Sequence, residues 1–248
     1  MIPLQDVIPT RSTPWMTLSL ITATTLVFAL ELALPDPARR ALILSYGIVP
    51  SHTTWSSALT HIFLHEGFVH IFANMAALWI FGDNLEDRLG RARFLGLFLL
   101  AGAFAGVTVA RLDPGSSLPI IGASGAVGGI IGGYLALFPT SRVLMLVPLW
   151  RGIDLVEIPT VMLLGVWILA QGIFAGSQVN AGSGLPMTLV VQAAGLVVGA
   201  LLARVLQRRD RRRCEWWNQR MDRASDQPPA RRRTSRDTSA SSVSNSSS

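Results

Sequence analysis

Residues 122–138 read GASGAVGGIIGGYLALF, an apolar, glycine-rich run with one serine, Ser124, close to its start. Serine nucleophiles usually stand on water-facing loops, yet this run predicts a membrane helix with Ser124 about a turn inside it. A polar group in hydrocarbon costs free energy unless it faces a partner or water. Polar residues in such spans are therefore functional candidates by default.

The surrounding chain supports a membrane reading. Of its 248 residues, 50% are hydrophobic and only 15% charged, and the mean hydropathy is +0.44. About six apolar spans emerge, at 16–34, 68–82, 94–110, 120–138, 158–175 and 187–206. Several are shorter than the roughly 20 residues a perpendicular helix needs, which a bundle that thins the bilayer or surrounds water can tolerate. Glu31 near the end of the first span, with no small-residue cleavage site after it, marks a retained helix and not a signal peptide. The expected organisation is a cytoplasmic segment at 1–15, a transmembrane domain at 16–206, and a basic, Ser-rich, mostly disordered tail at 207–248.

All 21 basic residues are arginine, and twelve of them lie from Arg204 onward, against five acids. The cluster after the last span places the tail inside under the positive-inside rule. Six spans then place the N-terminus inside too, as expected for a bacterial inner (plasma) membrane protein with both termini cytoplasmic. The turn 83–93 and the loop with Arg142 and Arg151 fall on the same side. The arginine tail suits contact with anionic lipid better than nucleic acid, and Trp216 and Trp217 suit an interfacial anchor. The lone Cys214 excludes an internal disulfide.

In this topology the even-numbered spans enter from the outer face. His70, Asn74, Ser124 and Gln192 then share one depth, roughly 3 to 9 Å below the helix ends. His70 and Asn74, four apart, share a helix face and suit oxyanion stabilisation of a serine adduct, with the Ser124 backbone N–H. Alone, a histidine and an asparagine at this spacing equally fit an interhelical hydrogen bond. Gly122, Gly125 and Gly129, with Gly195 and Gly199, read as helix-packing positions that let two backbones approach closely. That approach is expected to bring Ser124 and residue 192 within hydrogen-bond reach.

These features resemble the rhomboid family of intramembrane serine proteases. The resemblance covers about residues 1–206: His70 and Asn74, the turn FGDNLEDRLGRARF, Gly122 to Gly125, YLALFP, and the paired glycines of the sixth span. It implies an all-α polytopic membrane protein, a six-transmembrane-helix bundle with a half-inserted first loop, here about 35–67. That loop contains Tyr46, Trp55, His61 and His65, the last two resembling the family's structural histidines. It also implies transmembrane segments of other membrane proteins as partners, and a Ser–His dyad on the fourth and sixth helices.

One residue departs. The family's helix-six histidine lies three residues before the first glycine and seven before the second, where this chain has Gln192. Imidazole titrates near neutrality and can take the serine proton; a carboxamide cannot. No histidine follows His70, which is the one substitute base at hand, although its expected place is on the oxyanion side. Two readings follow: a serine endopeptidase scaffold with Ser124 as nucleophile and no general base, or a catalytically inactive relative that binds membrane clients. A solute transporter is disfavoured, since no inverted repeat is visible. No metal or organic cofactor is expected.

Overall fold

The computed structural model describes residues 2–6, 8, 12–149, 152–165 and 187–207. Most of the expected fifth span and the tail beyond residue 207, with Cys214, Trp216 and Trp217, lie outside the described residues. The first helix, α1 (Trp15–Ala33), buries Thr17, Leu20, Thr24, Phe28 and Glu31. These recur at helical spacing, so a single stripe faces the bundle, while Leu26 and Leu30 are exposed.

The first loop is helical rather than irregular. It holds α2 (Asp36–Tyr46) and α3 (Trp55–Thr60), with short 3₁₀ turns at Pro50–His52 and His61–Phe63. Thr54 starts α3 with a capping box, its hydroxyl accepting from Ser57 N. Next, α4 (Phe68–Leu89) runs seven residues past the expected end of the second span. The stretch 83–89 is thus helix and not turn. The reversal is confined to Gly90, whose φ of 83° suits glycine, and α5 (Arg91–Leu112) follows at once.

The extra turns of α4 have a job. Glu86 accepts the Met16 N–H through Oε1 (3.0 Å) and the Thr17 N–H through Oε2 (2.8 Å). It also takes the Thr17 hydroxyl (2.9 Å). The orphan donors at the start of α1, which has no side-chain cap of its own, are thus satisfied from another helix, and a carboxylate faces the positive end of the helix dipole. Ser12 Oγ donates to Asp87 Oδ1 (2.9 Å), and Asn84 Nδ2 to the Ile8 carbonyl (3.0 Å).

At the centre stands α6 (Ser124–Leu137), every residue of which is buried from Ser124 to Tyr134. Its 14 residues span only about 21 Å. Phe94, Leu97 and Phe98 of α5 pack around it with no exposed surface. The last described helix is α7 (Met187–Leu206). Among the described residues, α1, α5 and α7 are long and apolar enough to cross a membrane. Residues 55–63 and α4 meet at a 92° bend, as in a broken span.

A three-stranded sheet was not foreseen. β1 (Ile2–Asp6) pairs antiparallel with β2 (Arg142–Leu149), which pairs antiparallel with β3 (Gly152–Pro159). The register is continuous from Arg142 opposite Pro159 to Leu149 opposite Gly152. Val143 and Met145 point to the core, at the period of two that a strand imposes. The fifth span therefore does not begin at 158, which belongs to β3; residues 160–165 are helical.

Two substitutions separate these contacts from generic helix stability. Glu86→Ala orphans the buried Thr17 N–H and the part-buried Met16 N–H and is expected to cost about 2 kcal/mol, seen as a lower thermal midpoint in detergent. Gly96→Ala on α5, where a Cβ would meet nothing within 4 Å, should hold or raise that midpoint.

Candidate active site

The site is built around a turn that the first loop holds in place. Ile48 and Ile120 exchange two backbone hydrogen bonds (3.0 and 2.8 Å), and Gly122 N–H donates to the His61 carbonyl (2.9 Å). His61 is itself fixed by a 3.1 Å contact from Nδ1 to the Ser57 carbonyl. At Gly122 the backbone turns with φ of +119°, a region open to glycine and rarely to other residues. The next residue but one, Ser124, begins α6. It therefore stands at the helix N-terminus and not a turn inside. Its own N–H lies in the first turn, where no intrahelical acceptor exists.

Gly122 was expected to pack helices. Instead it makes room for a ring: a Cβ there would lie 2.5 Å from Cε1 and 2.8 Å from Nε2 of His70. With the ring seated on that glycine, His70 Nε2 lies 3.0 Å from Ser124 Oγ. Asn74, one turn along α4, donates from Nδ2 to Ser124 Oγ (3.4 Å) and to the His70 carbonyl (3.1 Å).

His65 ties these parts together. Its Nε2 accepts the Ala123 N–H (3.4 Å), so the proton belongs on Nδ1, which faces the Phe63 carbonyl (3.3 Å). The same Nε2 lies 3.3 Å from Asn74 Nδ2. The His65 backbone N–H donates to Glu31 Oε1 (3.2 Å), which links α1 to the site. Glu31 has no exposed surface. Sequence reading left it without a target; an acid near the end of an apolar span was the available signal.

Glycines set the distance between α6 and α7. A Cβ on Gly128 would lie 2.8 Å from the Gln192 carbonyl oxygen. On Gly195 and Gly199 it would overlap the carbonyls of Gly125 and Gly129. Gly125 and Gly129 also face Ala105 and Ala101 of α5. Gly195 and Gly199 thus lie backbone to backbone against Gly125 and Gly129.

Gln192 is where expectation and structure part. Close approach was expected to bring its amide to Ser124. The residue is buried, 4% exposed, but neither Oε1 nor Nε2 has a hydrogen-bond partner among the described residues. The serine hydroxyl is held by His70 and Asn74. Chemically, then, His70 and Asn74 converge on the Ser124 hydroxyl, and the Gln192 carboxamide carries no basicity. No group of three or more His, Cys, Asp or Glu suited to a metal occurs among the described residues.

Gly122→Ala forces a Cβ into a positive-φ turn and against the His70 ring. It is expected to destabilise the protein by about 2 to 3 kcal/mol. Gly67→Ala, at φ −178° with nothing within 4 Å, should leave the thermal midpoint within error of the parent.

Residues 52–209 match the rhomboid domain. The chain is 34% identical over 99 residues to Rhomboid protein 1, mitochondrial, of Saccharomyces cerevisiae, covering 38% of this chain and 29% of that protein. It is 36% identical over 92 residues to Rhomboid protease GluP of Bacillus subtilis, 37% of this chain and 18% of that one. It is 29% identical over 125 residues to the presenilin-associated rhomboid-like protein, mitochondrial, of Homo sapiens, 50% of this chain and 33% of that one. The matched stretch is a third or less of each of these relatives.

Proposed function

We propose, from the premise that this chain belongs to the rhomboid family and is an integral membrane protein, that it is an intramembrane serine endopeptidase scaffold with hydrolysis switched off at Gln192. Its working role is to engage transmembrane segments of other proteins. The observation that carries this reading is the contrast around Ser124. His70 Nε2 at 3.0 Å and Asn74 Nδ2 at 3.4 Å converge on the hydroxyl, while the buried Gln192 amide has no partner among the described residues.

Donors without a base give binding without turnover. With a carbonyl over Ser124, the Ser124 N–H and the His70 and Asn74 donors would polarise its oxygen. The hydroxyl keeps its proton, because a carboxamide neither accepts nor returns one. Loss of the base histidine costs a soluble serine protease on the order of 10⁶ in kcat. What remains is an electrophile-polarising cradle that holds a peptide group.

A second reading has one observation in its favour: at 3.0 Å, His70 is close enough to take the Ser124 proton itself. It would need a bare Nε2 and a proton on Nδ1. Among the described residues no hydrogen bond to Nδ1 is made, so the ring, although packed on Gly122 and His65, lacks the hydrogen-bonded third group of a triad.

A fluorophosphonate probe separates these readings in the purified protein. Labelling is expected in Gln192→His, and neither in the wild type nor in the Ser124→Ala/Gln192→His double variant. Wild-type labelling that disappears in both Ser124→Ala and His70→Gln would establish His70 as the base. A folded Gln192→His protein that stays unlabelled would sink the single-defect account.

The placement follows from the arginines. We assign both termini to the cytoplasmic side of a bacterial inner membrane, with the arginine-rich tail against anionic lipid. The single thiol, Cys214, tests this: in right-side-out spheroplasts an impermeant maleimide should label it only after permeabilisation. Labelling of intact spheroplasts would reverse the orientation.

A further inference from the structure

We propose that the outer edge of β3 is a docking strand: it takes on, as an added strand, the basic, extended segment that flanks a client's transmembrane helix on the cytoplasmic side. The proposal rests on the client-binding reading and the cytoplasmic placement above. It adds to them a second point of contact, remote from Ser124.

Two prolines fix which backbone groups of β3 face outward. Opposite residues of an antiparallel ladder alternate between pairs that exchange both hydrogen bonds and pairs that exchange none. Pro148 lies opposite Ile153, and Pro159 opposite Arg142; a proline has no N–H to give. Both pairs fall on the same alternation. The pairs without mutual hydrogen bonds are therefore Pro148–Ile153, Leu146–Leu155, Leu144–Glu157 and Arg142–Pro159. On β3, the N–H and C=O of Ile153, Leu155 and Glu157 then point away from β2. β1 covers the other edge of β2, but no strand pairs with the outer edge of β3 among the described residues. A row of outward donors and acceptors is a template for another chain.

Charge and location select the occupant. Residues 154–157 are all exposed, with Leu155 at 60% and Val156 at 39%. The strand carries Asp154 and Glu157 and no base. Arg142 of β2 reaches Glu157 at 3.7 Å, a surface pair that a stronger partner can exchange. Side chains alternate along a strand, so the two carboxylates stand on opposite faces. A cation on either face of an added strand meets one of them. A second copy of β3 would bring acid beside acid, and a basic segment brings none. On the cytoplasmic side, residues next to transmembrane helices are rich in Lys and Arg. The edge also lies at the end of the bundle. Pro159 leads into the helix at 160–165, and the Thr160 N–H donates to the Ser141 carbonyl (3.0 Å), just past the end of α6. A client helix lying along the roughly 21 Å of α6 would emerge with its flank at the level of β3.

The test uses the full chain in zwitterionic detergent and fluorescein-labelled leucine–alanine transmembrane helices that differ in one flank, read by fluorescence anisotropy. The flank is Lys-Thr-Val-Lys-Val-Lys, the same segment with every amide N-methylated, or Gly-Ser repeats. Wild type should bind the basic flank about tenfold more tightly than Gly-Ser, and the methylated flank no better than Gly-Ser. Leu155→Pro removes one outward N–H and spares the ladder to β2. It should lose most of that preference, and Leu155→Thr should keep it. The Asp154→Asn/Glu157→Gln double variant should lose it too, with a shallower dependence on salt. If Leu155→Pro does not fold, the methylated peptide and the double variant still decide. Equal binding of the basic and Gly-Ser flanks by wild type overturns the docking edge alone. Undiminished binding of the methylated flank also overturns it, because the contact would then be charge without strand pairing. A wild type that binds none of the three peptides overturns the client-binding reading and the edge with it.

Discussion

The site depends on how closely α6 and α7 approach. Along this contact, glycine faces peptide backbone: Gly195 and Gly199 sit against the carbonyls of Gly125 and Gly129, and Gly132 against that of Leu196. Apolar side chains gain nothing by leaving lipid for one another, so helix association in a membrane relies on close fit. Here the fit also does positional work. Two helices held backbone to backbone in the same direction share one depth scale, and this fixes residue 192 relative to Ser124. A methyl on the wrong glycine would change that distance as well as weaken the bundle.

The other half of the site is set from outside the bundle's central helices. The Gly122 turn gains its shape from Ile48, His61 and His65, all residues of the first loop. The loop is in turn tied to α1 through Glu31, and α1 is held at its other end by Glu86 of α4. His70 and Asn74 sit on that same α4. The donors around the serine are thus placed by a closed circuit of hydrogen bonds through α1, the loop and α4, while the 192 position is placed by packing. Two different kinds of force meet at Ser124.

That division explains what the sequence made legible. Helices α1, α5 and α7 appear as long apolar runs, and the family resemblance, counted back from Gly195 and Gly199, singled out Gln192 without any coordinates. His70 and Asn74 followed from a spacing of four. Features built from single long-range hydrogen bonds left weaker traces. Nothing near Ile48 and Ile120 signals that they pair, and Glu86 inside a charged stretch looks like a turn residue until Met16 and Thr17 are found above it. The strands were hidden because RVLMLVPL and GIDLVEIP, flanking arginine, read as apolar margin between spans. The start of α6 was misplaced for a related reason: glycine at 122 fits an apolar helix in sequence, and only its φ of +119° shows that the helix has yet to begin.

A carboxamide at position 192 can hydrogen-bond but cannot take up a proton at neutral pH. An apolar residue would satisfy the packing against Gly128 at lower cost than a buried amide with no partner among the described residues. An amide there is tolerable if something else completes it. On α4, His70 and Asn74 both reach the Ser124 hydroxyl, beside the first N–H of α6. What the structure places against the Ser124 hydroxyl is therefore a pair of hydrogen-bonding groups from α4, held there by the loop that shapes the Gly122 turn.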